Sequence, residues 1–361
     1  MATTAFGVSH PLAVKLWSEK LFREALKETY IGKFLGTSSN SLIQTLTDTQ
    51  KGPGDYVKVG LRMQLSGAGI AGDDTLEGSE EALTFYNDAV TIDQIRNAVR
   101  SAGKATEQRV PYSMREEARQ ALSDWIAGML DASFFNQIAG NTAVSDTRLT
   151  GMNSTAAATT GRILIANSGA GGSASTEASL STVAAPGTNA LLTLSDIDRC
   201  VAIAMTASPM IRPVKVGGDE YYVMFLHPNQ VWKLRSQTGT AGSWGDIQKA
   251  VLMGGGIRDN PLFTGALGVY NNVVLHESAR VPITVATADG NFRRAIFCGA
   301  QSAVVAFGQN SSGMKTTWNE ELFDYGNQLG VAAGLIWGLK KCQFNSADFG
   351  TIVVSSYAPA G

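Results

Sequence analysis

The chain has only three cysteines and three histidines in 361 residues. Cys200, Cys298 and Cys342 are odd in number, far apart, and form neither a C-x-x-C pair nor a metal-ligand spacing. That excludes a disulfide framework and a zinc centre as organising features, and free buried thiols are expected instead. Of His10, His227 and His276, His227 is followed by Pro228 and His276 ends a strand-like run before Glu277, so both read as structural residues. A Ser-His-Asp site would also need a G-x-S-x-G elbow, and none is present. Nor is there an H-E-x-x-H, a D-x-D-x-D-G calcium loop, or a Lys-Ser/Thr after the glycine runs at 169–172 and 254–256. Neither sign of charge dominates: 29 Lys and Arg against 31 Asp and Glu leave a formal charge of −2, which gives no support to a polycationic nucleic-acid or acidic-lipid binder. No apolar run approaches the roughly 18 residues needed to cross a bilayer, and the first residues lack the basic-then-apolar order of a secretory signal. A soluble protein made in the cytoplasm is expected, with no catalytic residue, metal or cofactor.

What the chain does have is 44% hydrophobic and 17% charged residues, ordinary for a folded protein. Its length suits two lobes or one large one, since single cores stop growing near roughly 250 to 300 residues. The most informative stretch is 53–110. A strand-like run, Asp55 to Met63, leads into a glycine-rich acidic tip, and a second run returns from Thr84 to Ile95. The excursion between them carries Asp73, Asp74, Glu77, Glu80 and Glu81 and little apolar material, so it cannot bury a core of its own and is suited to lie on a neighbour. Arg62, Arg96, Arg100, Lys104 and Arg109 place positive charge toward the base of this arm. Within one hairpin those charges would stand about 25 to 35 Å from the tip, so pairing of tip with base between neighbouring copies is the sharper expectation and a solvated acidic loop the plainer one.

After the arm, Ser113-x-x-Glu116 makes a capping-box pattern, and Met114, Ala118, Leu122, Trp125 and Met129 recur at helical spacing, with Gly140 as a stop. A helix over 114–139 would be about 39 Å long. A second stripe, Ala121, Ile126, Leu130, Phe134 and Ile138, predicts cover on more than one side. An earlier helix is predicted from Ser9-His10-Pro11 to about Tyr30, stopping at Gly32. From Asn141 to Asn189 the composition shifts to Ala, Thr, Ser and Gly, which predicts an exposed insertion with Arg162 to Ile165 as a short strand. A helix follows from about Ser195 to Thr206, a strand from Tyr221 to Leu226, and a short helix opened by His227-Pro228-Asn229-Gln230. The remainder reads as strands: 263–267, 269–276, 295–298, 303–307, 329–337 and 350–355. Their irregular spacing argues against a repeat fold, and the whole is α+β without a run of βαβ units.

Two motifs invite chemistry. Gly67-Ala68-Gly69-Ile70-Ala71-Gly72 is a literal G-x-G-x-x-G after a strand. A dinucleotide site needs a helix N-terminus there, whereas Asp73-Asp74 would repel a phosphate and Gly78 interrupts a helix, so a flexible tip is the reading and a nucleotide-binding enzyme the rival. Glu320-Glu321-x-x-Asp324 resembles a carboxylate cluster but sits at a predicted strand edge, where charge discourages misdirected pairing.

The strings Leu61-Arg62-Met63-Gln64-Leu65-Ser66-Gly67, Arg109-Val110-Pro111-Tyr112 with Arg115-Glu116-Glu117-Ala118-Arg119, His227-Pro228-Asn229-Gln230 and Asp324-Tyr325-Gly326-Asn327 resemble the major capsid protein family of schitovirus-like tailed bacteriophages, across nearly the whole chain. The resemblance implies a Hong Kong 97-type coat fold: an N-terminal arm (1–52), an E-loop (53–107), a P-domain with spine helix and low-complexity insertion (108–192), an A-domain (193–330), and C-terminal strands returning to the P-domain (331–361). It implies a structural protein that self-assembles into hexamers and pentamers around double-stranded DNA. The expected partners are copies of itself, a separate scaffolding protein, a portal, a decoration protein and weak non-specific DNA contact, with assembly in the host cytoplasm and no membrane. Another virion component, a decoration or tail-tube protein, is the second rival. The inter-subunit contact candidates are Arg62, Asp73, Asp74, Glu77, Glu80, Glu81, Arg96 and Arg100.

Overall fold

A computed structural model of the chain describes residues 21–22, 24–25, 29–46, 56–62, 65, 67, 69–72, 75, 77–78, 80–109, 111, 113–166, 191–236, 266–283, 291–308 and 315–359. In chain order the strands are β1 (Leu35–Gly36), β2 (Ile43–Leu46), β3 (Tyr56–Arg62), β4 (Phe85–Thr91), β5 (Asp93–Arg100), β6 (Ile163–Ile165), β7 (Val214–Val216), β8 (Asp219–Leu226), β9 (Ala266–Tyr270), β10 (Val273–Glu277), β11 (Phe292–Cys298), β12 (Ala303–Phe307), β13 (Thr316–Phe323), β14 (Gln328–Lys341), β15 (Gln343–Phe344), β16 (Ala347–Asp348) and β17 (Thr351–Tyr357). The helices are α1 (Lys104–Arg109), α2 (Met114–Ile138), α3 (Leu194–Thr206) and α4 (Pro228–Ser236), with a 3-10 turn at Tyr30–Phe34.

Two sheets share one spine. The first runs β1-β2-β12-β14-β13, and β5 adds to β14. Trp337 pairs with both Asp93 and Phe307, so β5 and β12 occupy opposite edges of the long β14. The second sheet runs β6-β17-β11-β8-β10-β9, with β7 on β8. Helix α2 packs on both sheets: Ala118, Leu122, Ile126, Leu130, Phe134 and Ile138 are buried in one cluster with Trp318 and Trp337 of the first sheet and Val223, Phe225 and Ile296 of the second, whereas Ala121 of the expected second stripe is exposed. Alternation along β8 splits the second sheet between two cores. Val223 and Phe225 face α2, while Tyr222, Met224 and Leu226 face Ile197, Cys200 and Val201 of α3 and Val231 and Leu234 of α4. Cover on both faces explains why β8 from Tyr221, β11 from Ala295 and, in the first sheet, β12 read as continuous apolar runs.

Several expectations are corrected here. The return run of the arm is not one strand but two, β4 and β5, and only β4 pairs with β3. The predicted first helix lies outside the described residues up to 20. Leu21, Phe22, Glu24 and Ala25 are helical, but the chain is extended by Thr29 and turns as a 3-10 segment over Tyr30–Phe34. Its cause lies across the fold: the buried Asp131 of α2 accepts the Tyr30 and Ile31 amides, each at 3.1 Å. Ser113 does occupy the α2 N-cap, yet its hydroxyl makes no capping bond. The insertion expected to be exposed from Asn141 is packed as far as Ala166, with Asn153, Ala158, Leu164 and Ala166 buried, while 167–189 lie outside the described residues. The expected boundary at 330/331 falls inside β14, and the chain crosses between sheets after β11 and again before β17, so units set by pairing are not contiguous in sequence.

Candidate functional site

The arm is a two-stranded antiparallel ladder with Tyr56 opposite Thr91 and Arg62 opposite Phe85. Strict alternation gives it two unlike faces. Val57, Val59, Leu61, Tyr86 and Val90 turn inward onto Val304, Ala306, Cys342, Phe344 and Phe349 of the body. Tyr56, Lys58, Arg62, Phe85 and Asn87 turn outward, and Tyr56 and Phe85 keep 66% and 65% of their surface exposed. Asp88 on the inner side pairs with Lys340 and accepts the Gln343 amide at 3.1 Å, so a partly buried ion pair fixes the ladder to β14.

The joint between arm and body is Thr91–Asp93. Asn153 holds it: its Oδ1 accepts the Thr91 amide at 2.8 Å, and its Nδ2 faces the carbonyls of Thr91 (3.0 Å), Gly151 (2.8 Å) and Leu339 (3.1 Å). Gln137 of α2 holds the same loop through the carbonyls of Thr150 (2.6 Å) and Asn153 (2.9 Å). Gly338 lets the strands close, since a Cβ there would stand 2.0 Å from the Thr91 oxygen. Asn153 was hidden in the low-complexity stretch; the only local signal is the Gly151-Met152 pair, which carries positive φ of 70° and 61°.

Arg62 ends β3 at the distal end of the ladder, and Glu81 follows nearby: both line a cleft of about 760 Å³ with Tyr86, Met210, Arg212 and Phe349. Glu81 accepts the Gly67 amide at 2.7 Å and Glu80 the Gly78 amide at 2.8 Å. Glu77 is exposed in a turn, and Asp73 and Asp74 lie outside the described residues. Arg96 and Arg100 do not sit on the hairpin; they are exposed on β5, and the Arg100 guanidinium stacks 4.2 Å from the Phe323 ring. The described residues between 65 and 84 contain turns and no helix, so the G-x-G-x-x-G string has no described helix N-terminus at which to hold a phosphate. Gly69, Gly72 and Gly78 take positive φ with open space around them.

The remaining chemical candidates resolve into structure. Glu320, expected to guard a strand edge, points inward: it is buried, pairs with Arg115 of α2 and accepts the Trp318 indole N–H at 2.8 Å. His276 is buried with its ring 5.1 Å from Phe34. His227 caps α4: its Nδ1 accepts the Asn229 amide at 3.2 Å, and the His227 amide in turn donates to Gln230 Oε1 at 2.8 Å. Burial, then the charge of Arg293, pushes the His227 imidazole down to about 4. All three cysteines are free and buried, and burial pushes the Cys298 thiol up to about 12, with Cys200 and Cys342 also raised. Among the described residues no group of three or more His, Cys, Asp or Glu is placed to hold a metal, and no helix is long and apolar enough to cross a membrane.

A family described as phage capsid protein matches residues 5–360. The chain is 30% identical over 377 aligned positions to the major capsid protein of Pseudomonas phage KPP25, covering 94% of this chain and 93% of the relative. Among solved structures it resembles the capsid of Ralstonia phage GP4 at 34% identity and a TM-score of 0.79, covering 99% of both chains. The capsid asymmetric unit of cyanophage Pam1 shares the fold at 21% identity and a TM-score of 0.68, over 93% of this chain and 94% of that one.

Proposed function

Because this chain belongs to the phage capsid protein family, we propose that it works by lending its arm to the next copy, with copies arranged as hexamers and pentamers in a shell around double-stranded DNA. It is a major capsid protein of a tailed phage, and its working assembly is many copies of itself. In the Hong Kong 97-type division, α2 is the spine helix of a P-domain built on the first sheet, the β3–β4 ladder is the E-loop, and the second sheet with α3 and α4 is the A-domain. This division follows strand pairing and so shifts the boundaries of the sequence-based one.

The observation that carries the reading is the two-faced arm. Its inner face is spent on the body, yet Tyr56 and Phe85 remain exposed on its outer face, and the tip beyond Arg62 has little core of its own. Large exposed aromatics on a projecting element are contact area awaiting a partner. Charge adds direction: Glu77, Glu80, Glu81, Asp73 and Asp74 of one tip meet Arg96 and Arg100 of a neighbour's β5, and Arg62 contributes beside the tip. Scaffold, portal and decoration proteins act as separate partners, DNA contact is weak and sequence-independent given the charge of −2, and assembly takes place in the host cytoplasm. The role is structural and not enzymatic.

Expression with the phage's assembly partners, followed by sizing and negative-stain imaging, tests this. Closed shells are expected from the wild type. Reversing Glu77, Glu80 and Glu81 to lysine should abolish them, with recovery when Arg96 and Arg100 are also reversed. Normal shells from the charge-reversed tip would refute the tip-to-base pairing, and particles of a tube or a saturable nucleotide-dependent thermal shift would refute the shell.

A further inference from the structure

The hairpin joining β13 to β14 ends in a four-residue turn, Asp324 to Asn327, whose Asp324 carbonyl accepts the Asn327 amide at 2.9 Å. Its central residues, Tyr325 and Gly326, have φ of 51° and 81°, the left-handed pair of a type I′ turn, and Asp324 is also left-handed at 51°. The first central position of such a turn favours Asn, Asp or Gly, because a bulky side chain pays a steric cost at positive φ. Here it holds a tyrosine, the most exposed of the large hydrophobic side chains among the described residues. Leu322 beside it is also half exposed. Among the described residues the tyrosine joins no apolar cluster, and its backbone takes a left-handed conformation to present it.

The turn is nevertheless held firmly. Asn327 accepts the Lys104 amide at 3.2 Å, Gln328 donates to the Ala102 carbonyl at 3.3 Å, the Ser101 amide meets the Leu329 carbonyl at 2.8 Å, and Arg100 stacks on Phe323. A rigid platform that displays a tyrosine is what a binding anchor requires, because the ordering cost is met before contact. The tip is acidic and aromatic, with Glu321, Asp324 and Tyr325. The outer face of the β3–β4 ladder is cationic and aromatic, with Lys58, Arg62, Tyr56 and Phe85, so a second copy carries the complement.

We propose that Tyr325, at the tip of the β13–β14 hairpin, is a contact anchor that docks onto a second copy of this chain. The inference rests on the capsid reading and adds a second interface residue to it, away from the arm. The local conformation makes a test with opposite signs for folding and assembly. Tyr325→Asn replaces the ring with the residue the turn prefers, so the subunit should melt at the same temperature or higher, while shell yield should fall by at least about tenfold. Tyr325→p-benzoylphenylalanine, irradiated in assembled particles, should crosslink to another copy of the chain. Full shell yield from Tyr325→Asn overturns the inference, as does a photocrosslink that is absent or reaches only a different protein. Particles from wild type and Tyr325→Asn alike would sink this inference alone; a wild type that forms no particles with its assembly partners would sink the capsid reading, and this inference with it.

Discussion

Removing the Asn153 side chain should loosen the arm where it joins the body. Its amide nitrogen has two hydrogens and faces three carbonyls, so with the bond its oxygen accepts from Thr91 it supports about three good hydrogen bonds at once. At roughly 0.5 to 1.5 kcal/mol for each of the two Nδ2 bonds, and about 1 to 3 kcal/mol for the partly buried Thr91 amide left without its acceptor, Asn153→Ala should cost about 2 to 6 kcal/mol. Asn153→Asp should cost at least as much, since it keeps the acceptor for Thr91 but turns a second oxygen toward three carbonyls. Urea unfolding of the purified subunit by tryptophan fluorescence measures the total. Amide exchange gives the location: protection should fall over Phe85–Thr91 and Asp93–Arg100 first, and over Asp219–Leu226 in the second sheet little beyond the global change. If Asn153→Ala stays within about 0.5 kcal/mol of wild type, or if exchange rises uniformly, the joint is not where the hydrogen bonds put it.

Lys341 and Asp348 form an ion pair at 2.8 Å with side chains 1% and 0% exposed; Lys341→Met should cost about 3 to 5 kcal/mol in denaturant unfolding, and Lys341→Met with Asp348→Leu should recover most of it. His227 titrates near 4 in the fold against an ordinary value near 6.5, so the unfolded chain binds the proton first as pH falls. Its contribution is complete above pH 6.5 and is lost as pH drops through about 4, and His227→Asn, which keeps a capping acceptor, should flatten that part of the stability profile measured by thermal melts. With every thiol buried and its pKa raised, a thiol reagent at pH 8 should label none of the three cysteines in the native subunit and all three in urea; rapid native labelling would contradict the packing.

The parts legible in the sequence were those whose cause is local. Four-residue spacing of apolar residues placed α2 almost to the residue, because one helix face repeats at that interval, and His227-Pro228-Asn229-Gln230 announced the start of α4 because capping is settled within four residues. The two-stranded arm was visible as two strand-like runs on either side of a polar, glycine-rich tip. The same local view misread Ser113 and Glu116, whose spacing permits a capping box that the side chains do not make.

What stayed hidden depended on partners far away in sequence. Glu320 looked like an edge charge because only the folded chain brings Arg115 to it, 205 residues distant. The break at Ile92 carries no turn residue; it exists because Asn153 and Gly338 seize Thr91 from two other elements. Asn141 to Ala166 read as filler because small polar side chains have no periodicity, yet their amides tie helix, arm and sheet together. The sequence alone determined the three long-patterned helices α2, α3 and α4, the most apolar strands, the near-neutral charge and the absence of catalytic motifs, since residue type and spacing suffice for those. The tertiary structure decided which face of the arm is covered, which charges are buried and which strands share a sheet, because pairing across hundreds of residues is set by three-dimensional packing and leaves no trace in local pattern.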